Sequence, residues 1–187
     1  MVDPKHPHEV ARVPAAGRLR ALTTADLPAV AALNAAEVPR LGPLTDEQLR
    51  THAARCDLAL VAEALADDGD RPQLAGFVLA LAPGHDYASP NYRFFEARGT
   101  DHLYVDRIAV APAFRRRGLA RTLYAAVLDR ARRDGRAEVT CEVNLRPANE
   151  GSLRFHTGQG FVEVGQQDTG ELRVALLARP VPPAPGD

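Results

Sequence analysis

Tryptophan is absent from this 187-residue chain, aromatic residues make up 5% of it, and cysteine occurs only at Cys56 and Cys141. Two distant cysteines provide neither a disulfide framework nor the close pairs of a zinc site, so free thiols in a reduced, cytoplasmic setting are expected. An excess of one charge is also missing: 23 basic against 24 acidic residues leave a formal net charge of −1. That balance gives no global pull on nucleic acid or on an anionic membrane, and neither is expected as a partner. No run approaches the roughly 18 apolar residues of a membrane span. The start is charged and proline-bearing, without the apolar stretch of a secretory leader.

What remains is 45% hydrophobic and 25% charged, enough chain for one globular domain with a real core. Residues 1–17 carry Pro4, Pro7 and Pro14 and read as a disordered arm. Pro180, Pro182, Pro183 and Pro185 mark residues 180–187 as a second such tail, which leaves 18–179 as the domain. His6 and His8 lack the third and fourth ligands of a zinc site, so no metal is expected.

The organising stretch runs from Asp101 to Asp134. Leu103, Val105, Ile108 and Val110 lie among Tyr104 and Ala109 in a strand-like run that ends at Pro112, which cannot donate to a ladder. After Gly118, Leu119, Leu123, Val127 and Leu128 recur at helical spacing, with Arg121, Asp129 and Arg130 on the other face and Gly135 as a stop. Between strand and helix lies Arg115-Arg116-Arg117-Gly118-Leu119-Ala120. The first N–H groups of a helix have no intrahelical partner, and with three arginines beside them they favour an anion. Gly118 and Ala120 lack the bulk that would keep a phosphate from the backbone. The turn fits neither G-x-x-x-x-G-K-[ST] nor G-x-G-x-x-G, which disfavours a nucleoside-triphosphate loop and a dinucleotide fingerprint.

Before this stretch, Arg18 to Ala21 reads as a strand, and Thr23 or Thr24 caps a helix through Val30, Leu33 and Val38. Thr45 with Gln48 forms a capping box for a second helix ending near Arg55. Leu58–Leu65 and Leu74–Leu81 form a hairpin across Asp67-Asp68-Gly69-Asp70, a solvated turn without the spaced ligands of a calcium loop. Pro83 to Asp101 shows no clear periodicity yet holds Tyr87, Asn91, Tyr92, Phe94 and Phe95. Two readings stay open for this loop: it folds over a substrate pocket, or its aromatics bury it against the sheet. After the central helix, Val139, Cys141 and Val143 alternate with Glu138, Thr140, Glu142 and Asn144 in a strand with one polar face. Two further strands begin at Phe161 and Leu172, separated by Gly170.

The stretch Arg115-x-x-Gly118-x-Ala120 after Ile108-Ala109-Val110, followed by Asn149-x-x-Ser152-x-x-Phe155-His156-x-x-x-Gly160-Phe161, resembles the two-part signature of the GNAT N-acetyltransferase superfamily. The resemblance covers roughly Leu19 to Arg179. It implies a single α/β (α+β) domain with a mixed, mostly antiparallel sheet of six to seven strands, helices on both faces, and a splayed central parallel pair. It further implies acetyl-CoA as co-substrate, held by Ile108, Ala109, Val110, Arg115, Arg116, Arg117, Gly118, Leu119, Ala120, Arg121, Asn149, Ser152 and Phe155. The two N-terminal helices would border the acceptor groove.

Acetyl transfer from a thioester to an amine is dominated by positioning, helped by a base for the ammonium proton and an acid for the departing thiolate. By resemblance Glu142 stands where some ribosomal-protein acetyltransferases carry a catalytic Glu, and Asp106 and Tyr104 are reserve candidates for base or substrate anchor. His156 occupies the place of the family's thiolate-protonating Tyr; it either donates a proton when charged or only contacts the CoA sulfur or pantetheine arm. The expected function is acetyl transfer to a primary amine of a small molecule or peptide by direct attack in a ternary complex. The alternative is a catalytically silent acyl-CoA-binding sensor. The acceptor itself and a homodimer are left open.

Overall fold

In a computed structural model of the protein, residues 17–66 and 71–182 are described. The expected arm 1–17 apart from Gly17, with His6 and His8, the acidic turn Asp67 to Asp70, and residues 183–187 lie outside them.

The first half follows its capping signals. Strand β1 (Arg18–Ala21) leads through a short turn to helix α1 (Leu27–Ala36). At that turn the Thr23 N–H and hydroxyl both donate to Asp26 Oδ2 at 2.8 Å, and Arg20 pairs with the same carboxylate at 2.7 Å. Helix α1 stops at Ala36, two residues before the expected Val38. Helix α2 (Asp46–Arg55) opens on the expected box: the Gln48 N–H donates to Thr45 Oγ1 at 3.2 Å and the Thr45 N–H to Gln48 Oε1 at 2.9 Å. A cap of this kind is worth about 1 kcal/mol.

Strands β2 (Leu58–Leu65) and β3 (Pro72–Leu81) form the hairpin. The next segment differs from the expected loop, because Pro90–Arg98 is a helix, α3. Ser89 Oγ accepts from the Tyr92 N–H at 3.4 Å, Pro90 occupies the first turn, and Gly99 closes the helix at φ +69° with its N–H on Glu96 O. Its inward stripe is the pair Tyr92 and Phe95, too short a repeat for a helical period to show.

Strand β4 (His102–Val110), helix α4 (Leu119–Arg133), strand β5 (Glu138–Arg146), helix α5 (Glu150–Gly158) and strands β6 (Val162–Thr169) and β7 (Leu172–Pro180) complete the chain. The packed chain runs past the expected end at Arg179: β7 includes Pro180, and buried Val181 donates its N–H to Ala137 O at 2.8 Å. The seven strands lie in the order β1-β2-β3-β4-β5-β7-β6, with β4–β5 parallel and every other neighbour antiparallel.

Helix α4 packs Leu119, Leu123 and Val127 on one face of the sheet, against Val78, Leu103 and Val139, with Leu153 and Phe155 of α5 beside them. Val30, Leu33 and Leu49 of α1 and α2 cover Val61, Phe77 and Leu79 on the opposite face. Tyr92 and Phe95 of α3 extend that second layer over Leu81, Tyr104 and Leu176. The expected polar face of β5 is therefore not solvated: Glu138, Thr140 and Asn144 are buried. Among the described residues no helix is long and apolar enough to cross a membrane.

Candidate functional site

Parallel pairing of β4 with β5 runs from His102↔Glu138 to Val105↔Cys141 and then ends. Beyond it the strands diverge, and the N–H groups of β4 that point toward β5 lose their ladder partners. On the other side of β4 the register passes from Ala80↔Val105 to Leu79↔Arg107, leaving Asp106 as the extra residue of a bulge. A bulge reverses which face later side chains take. Leu103 and Val105 pack in the α4 layer, as do Ile108 and Val110 further along, while Asp106 and Arg107 both turn toward α1 and α2. A cavity of about 710 Å³ occupies the opening, lined by Val105 to Val110 on one side and Cys141 to Asn144 on the other.

At one end lies the turn before α4. Arg116 takes φ +62° and Gly118 φ +84°, two left-handed residues with Arg117 between them, which turn neighbouring N–H groups toward one concave side. The first-turn N–H groups of α4 follow directly. A Cβ built on Gly118 meets no atom within 4 Å, so it would project into the open space that an anion would take. Arg115 and Ala120 line the cavity. The Arg115 guanidinium donates to Val110 O at 3.1 Å and pairs with Glu37 from the end of α1. Leu119 is buried in the core and offers only its backbone. Arg117 reaches Leu65 O at 3.3 Å and covers the Phe114 ring, and Arg116 and Arg121 are exposed outside the cavity lining.

Helix α5 brings Asn149, Ser152, Phe155 and His156 to the cavity wall. Asn149 caps the helix by accepting from the Ser152 N–H at 3.3 Å. His156 is buried; its Nδ1 lies 2.7 Å from Ser152 O and its Nε2 2.6 Å from Tyr124 Oη. A carbonyl only accepts, so Nδ1 carries the proton and Nε2 accepts from the tyrosine hydroxyl. Burial pushes the imidazole below its usual range and the Tyr124 hydroxyl well above its own. Tyr124 went unread in the sequence, where it is one more large residue on the inward stripe of α4.

The other end of the opening holds two carboxyls in different states. Burial works to raise Asp106, but His52 Nε2 at 2.8 Å, Arg107 Nε at 3.2 Å and the Tyr87 hydroxyl at 2.9 Å outweigh it and hold its pKa below the ordinary value. Glu142 is pushed up to about 8, first by burial and then by the Asp106 charge. The Tyr104 hydroxyl donates to Glu142 Oε2 at 2.7 Å, and Asn91 lines the same cavity wall and acts to lower the pKa of that carboxyl. Tyr104 is fully buried and does not line the cavity, so it holds Glu142 rather than facing a substrate. The aromatic segment divides: Tyr92 and Phe95 are core, whereas Tyr87, Ser89 and Asn91 line the cavity. Over the opening crosses the α1–α2 connection, tied to β4 by Arg107 Nη1 on Gly42 O at 2.7 Å and to β5 by Asn144 Nδ2 on Pro39 O at 3.1 Å. Among the described residues no group of three His, Cys, Asp or Glu is placed to hold a metal.

The raised Glu142 carboxyl has a consequence for stability. The unfolded chain releases this proton near 4.5, the folded one near 8, so within that window the folded state holds more protons and stability falls as pH rises. The Glu142→Gln variant lacks this component. Its thermal midpoint is expected to gain on the parent's as pH climbs from about 4.5 to about 8 in a scanning-calorimetry series. Parallel profiles would show an unshifted carboxyl.

The sequence profile of the acetyltransferase (GNAT) family matches residues 28–161. No curated protein matches the chain in sequence. Among solved structures, the ribosomal-protein-S18-alanine N-acetyltransferase of Escherichia coli superposes with a TM-score of 0.64 at 19% identity, covering 91% of this chain and 97% of that one. Ard1 from Thermoplasma volcanium gives 0.69 at 19% identity, with 89% and 98% covered. For yncA from Salmonella typhimurium, solved with its cofactor acetyl-CoA, the values are 0.63, 17%, 91% and 97%. At these identities the likeness establishes the fold.

Proposed function

Because this chain belongs to the acetyltransferase (GNAT) family, we propose that it moves an acetyl group from acetyl-CoA to the primary amine of a small molecule or peptide, by direct attack within a ternary complex. The observation that carries this reading is the opened β4–β5 pair, whose cavity joins the left-handed turn before α4 to the Glu142 carboxyl. An acyl donor with a pyrophosphate at one end and a thioester at the other matches that layout. Its acceptor end is consistent with neighbours named for amine acetylation, and yncA was solved with acetyl-CoA.

In this reading the turn at Arg115 to Ala120 holds the pyrophosphate on backbone N–H groups. The unpaired N–H groups of β4 near Ile108 to Val110 hold the thioester oxygen as it gains charge. Glu142 takes the proton of the attacking ammonium, directly or through water. The amine nitrogen bonds the carbonyl carbon, the carbon–sulfur bond breaks, and its electron pair leaves on sulfur. Asp106, beside His52 Nε2 and Arg107 Nε and accepting from the Tyr87 hydroxyl, stays a fixed anion.

His156, kept neutral by burial and by its bond to Ser152 O, is an acceptor for Tyr124 rather than a resident acid. The Tyr124 hydroxyl is then the donor that turns toward the thiolate as charge develops there. Tyr124→Phe is expected to lower kcat on the order of 10²-fold with CoA affinity kept, the usual cost of losing one such donor. His156→Phe should cost less, since the hydroxyl remains and only its orientation is lost. If Tyr124→Phe turns over as fast as the parent, water protonates the thiolate. Any descending limb from an imidazolium lies on the acid side of 6.5, because burial lowers that group.

Free-thiol release from acetyl-CoA across a panel of amines, peptides and antibiotics tests the whole reading. Release with any acceptor supports transfer. CoA binding without release across the panel favours the silent acyl-CoA sensor.

A further inference from the structure

Strands β3 and β4 are ladder neighbours up to Leu81↔Tyr104, yet residues 82–101 intervene where a short turn would join them. Those residues form α3 and its approach, and they carry three side chains into the cavity, Tyr87, Ser89 and Asn91. Asn91 sits in the first turn of α3, one residue after Pro90 and beside the Ser89 cap. Tyr92 and Phe95, each about 1% exposed, anchor that turn against Tyr104 and Leu176. Asn91 is itself buried, and its orientation is set from behind: Gln167 Nε2 of β6 donates to its Oδ1 at 3.2 Å. With the oxygen taken, Nδ2 is the amide group left for the Glu142 carboxyl, which lines the same cavity.

Resting on the reading of Glu142 as the base, we infer that Asn91 is a positioning residue for this reaction: held by Gln167, it donates to Glu142 and, with Tyr104, orients the carboxyl toward the acceptor. Two donors on one carboxyl leave its remaining lone pairs for the incoming ammonium. They also oppose burial, so that the carboxylate form remains reachable near neutral pH. The other groups acting on Glu142 are Asp106 and Arg107 of β4, Tyr87 ahead of α3, Cys141 on its own strand, and Tyr124 of α4. None of these is an amide donor held by a partner on β6. The β3–β4 connection is thus part of the acceptor-side machinery.

The test needs no acceptor. Infrared titration of the protein alone follows the protonated-carboxyl band that Glu142→Gln removes, with a parent midpoint expected at about 8. Asn91→Asp replaces the donor by an anion of the same shape, and the midpoint should rise by about 1–3 units. Gln167→Glu, on a half-buried edge-strand position, reaches the same end without touching Asn91. A carboxylate there draws Nδ2 to itself, turns the amide round, and leaves Oδ1 facing Glu142, which again favours the protonated form. A merely structural asparagine would change stability and leave the midpoint alone. Unmoved midpoints in both variants, with the band still lost in Glu142→Gln, overturn the role of Asn91 and spare the base. A band that survives in Glu142→Gln overturns the assignment of the titrating carboxyl, and with it the base reading.

Discussion

Gly118→Asp is expected to weaken CoA binding by on the order of 10³-fold while the fold survives. Two unit charges of like sign 4 Å apart near a protein surface repel by about 4 kcal/mol, three decades in affinity. The new side chain meets no protein atom within 4 Å, so its carboxylate occupies the concave space in front of the α4 N–H groups. Its backbone cost is separate: φ is +84° at this position, and a left-handed residue with a Cβ loses roughly 1–2 kcal/mol. Gly118→Asn isolates that cost, since asparagine shares the shape and tolerates the conformation without the charge. Calorimetric titration with CoA should rank parent above Asn and Asn far above Asp. An Asp variant that binds as tightly as the parent removes the pyrophosphate from this turn.

Glu142→Gln is expected to lower turnover by ~10²–10⁴-fold, the usual worth of a general base, with CoA affinity nearly unchanged. The pH profile carries the sign. A base must be ionised to accept, so the parent rate rises with pH through about 8 and then flattens as far as Glu142 decides it. The amine's own deprotonation persists in the variant, and the difference between the two profiles isolates the carboxyl. Asp106→Asn behaves differently, because it removes the anion that helps to raise Glu142. The ascending limb should move to lower pH and the reaction should continue. If Asp106→Asn abolishes turnover and Glu142→Gln spares it, the base belongs to β4.

Local chemistry made much of the fold legible. Thr45 and Gln48 pair as their spacing requires, because a capping box involves residues three apart and little else. The turn at Arg115 to Ala120 is likewise local: a glycine and a helix start determine where its N–H groups point, whatever packs around them. Helix α3 was also written locally, in Ser89, Pro90 and Gly99, but its two-residue apolar stripe is shorter than the period that would reveal it.

Contacts between distant segments are a different matter. Nothing near Tyr124 in the chain separates it from Leu123 and Val127, and its hydroxyl gains chemical meaning from a histidine 32 residues away. The bulge at Asp106 is an offset between two strands, so no property of β4 taken alone reports it. The division between the two carboxyls has the same origin: Asp106 meets His52 of α2, Arg107 of β4 itself and Tyr87 ahead of α3, whereas Glu142 is half-buried and desolvated beside that charge. Residue order thus specified most of the elements, their caps and the glycine turn before α4, all set by interactions within a few residues. Which carboxyl is raised, and which hydroxyl meets His156, were settled by burial and long-range approach, quantities that exist only once the chain has folded.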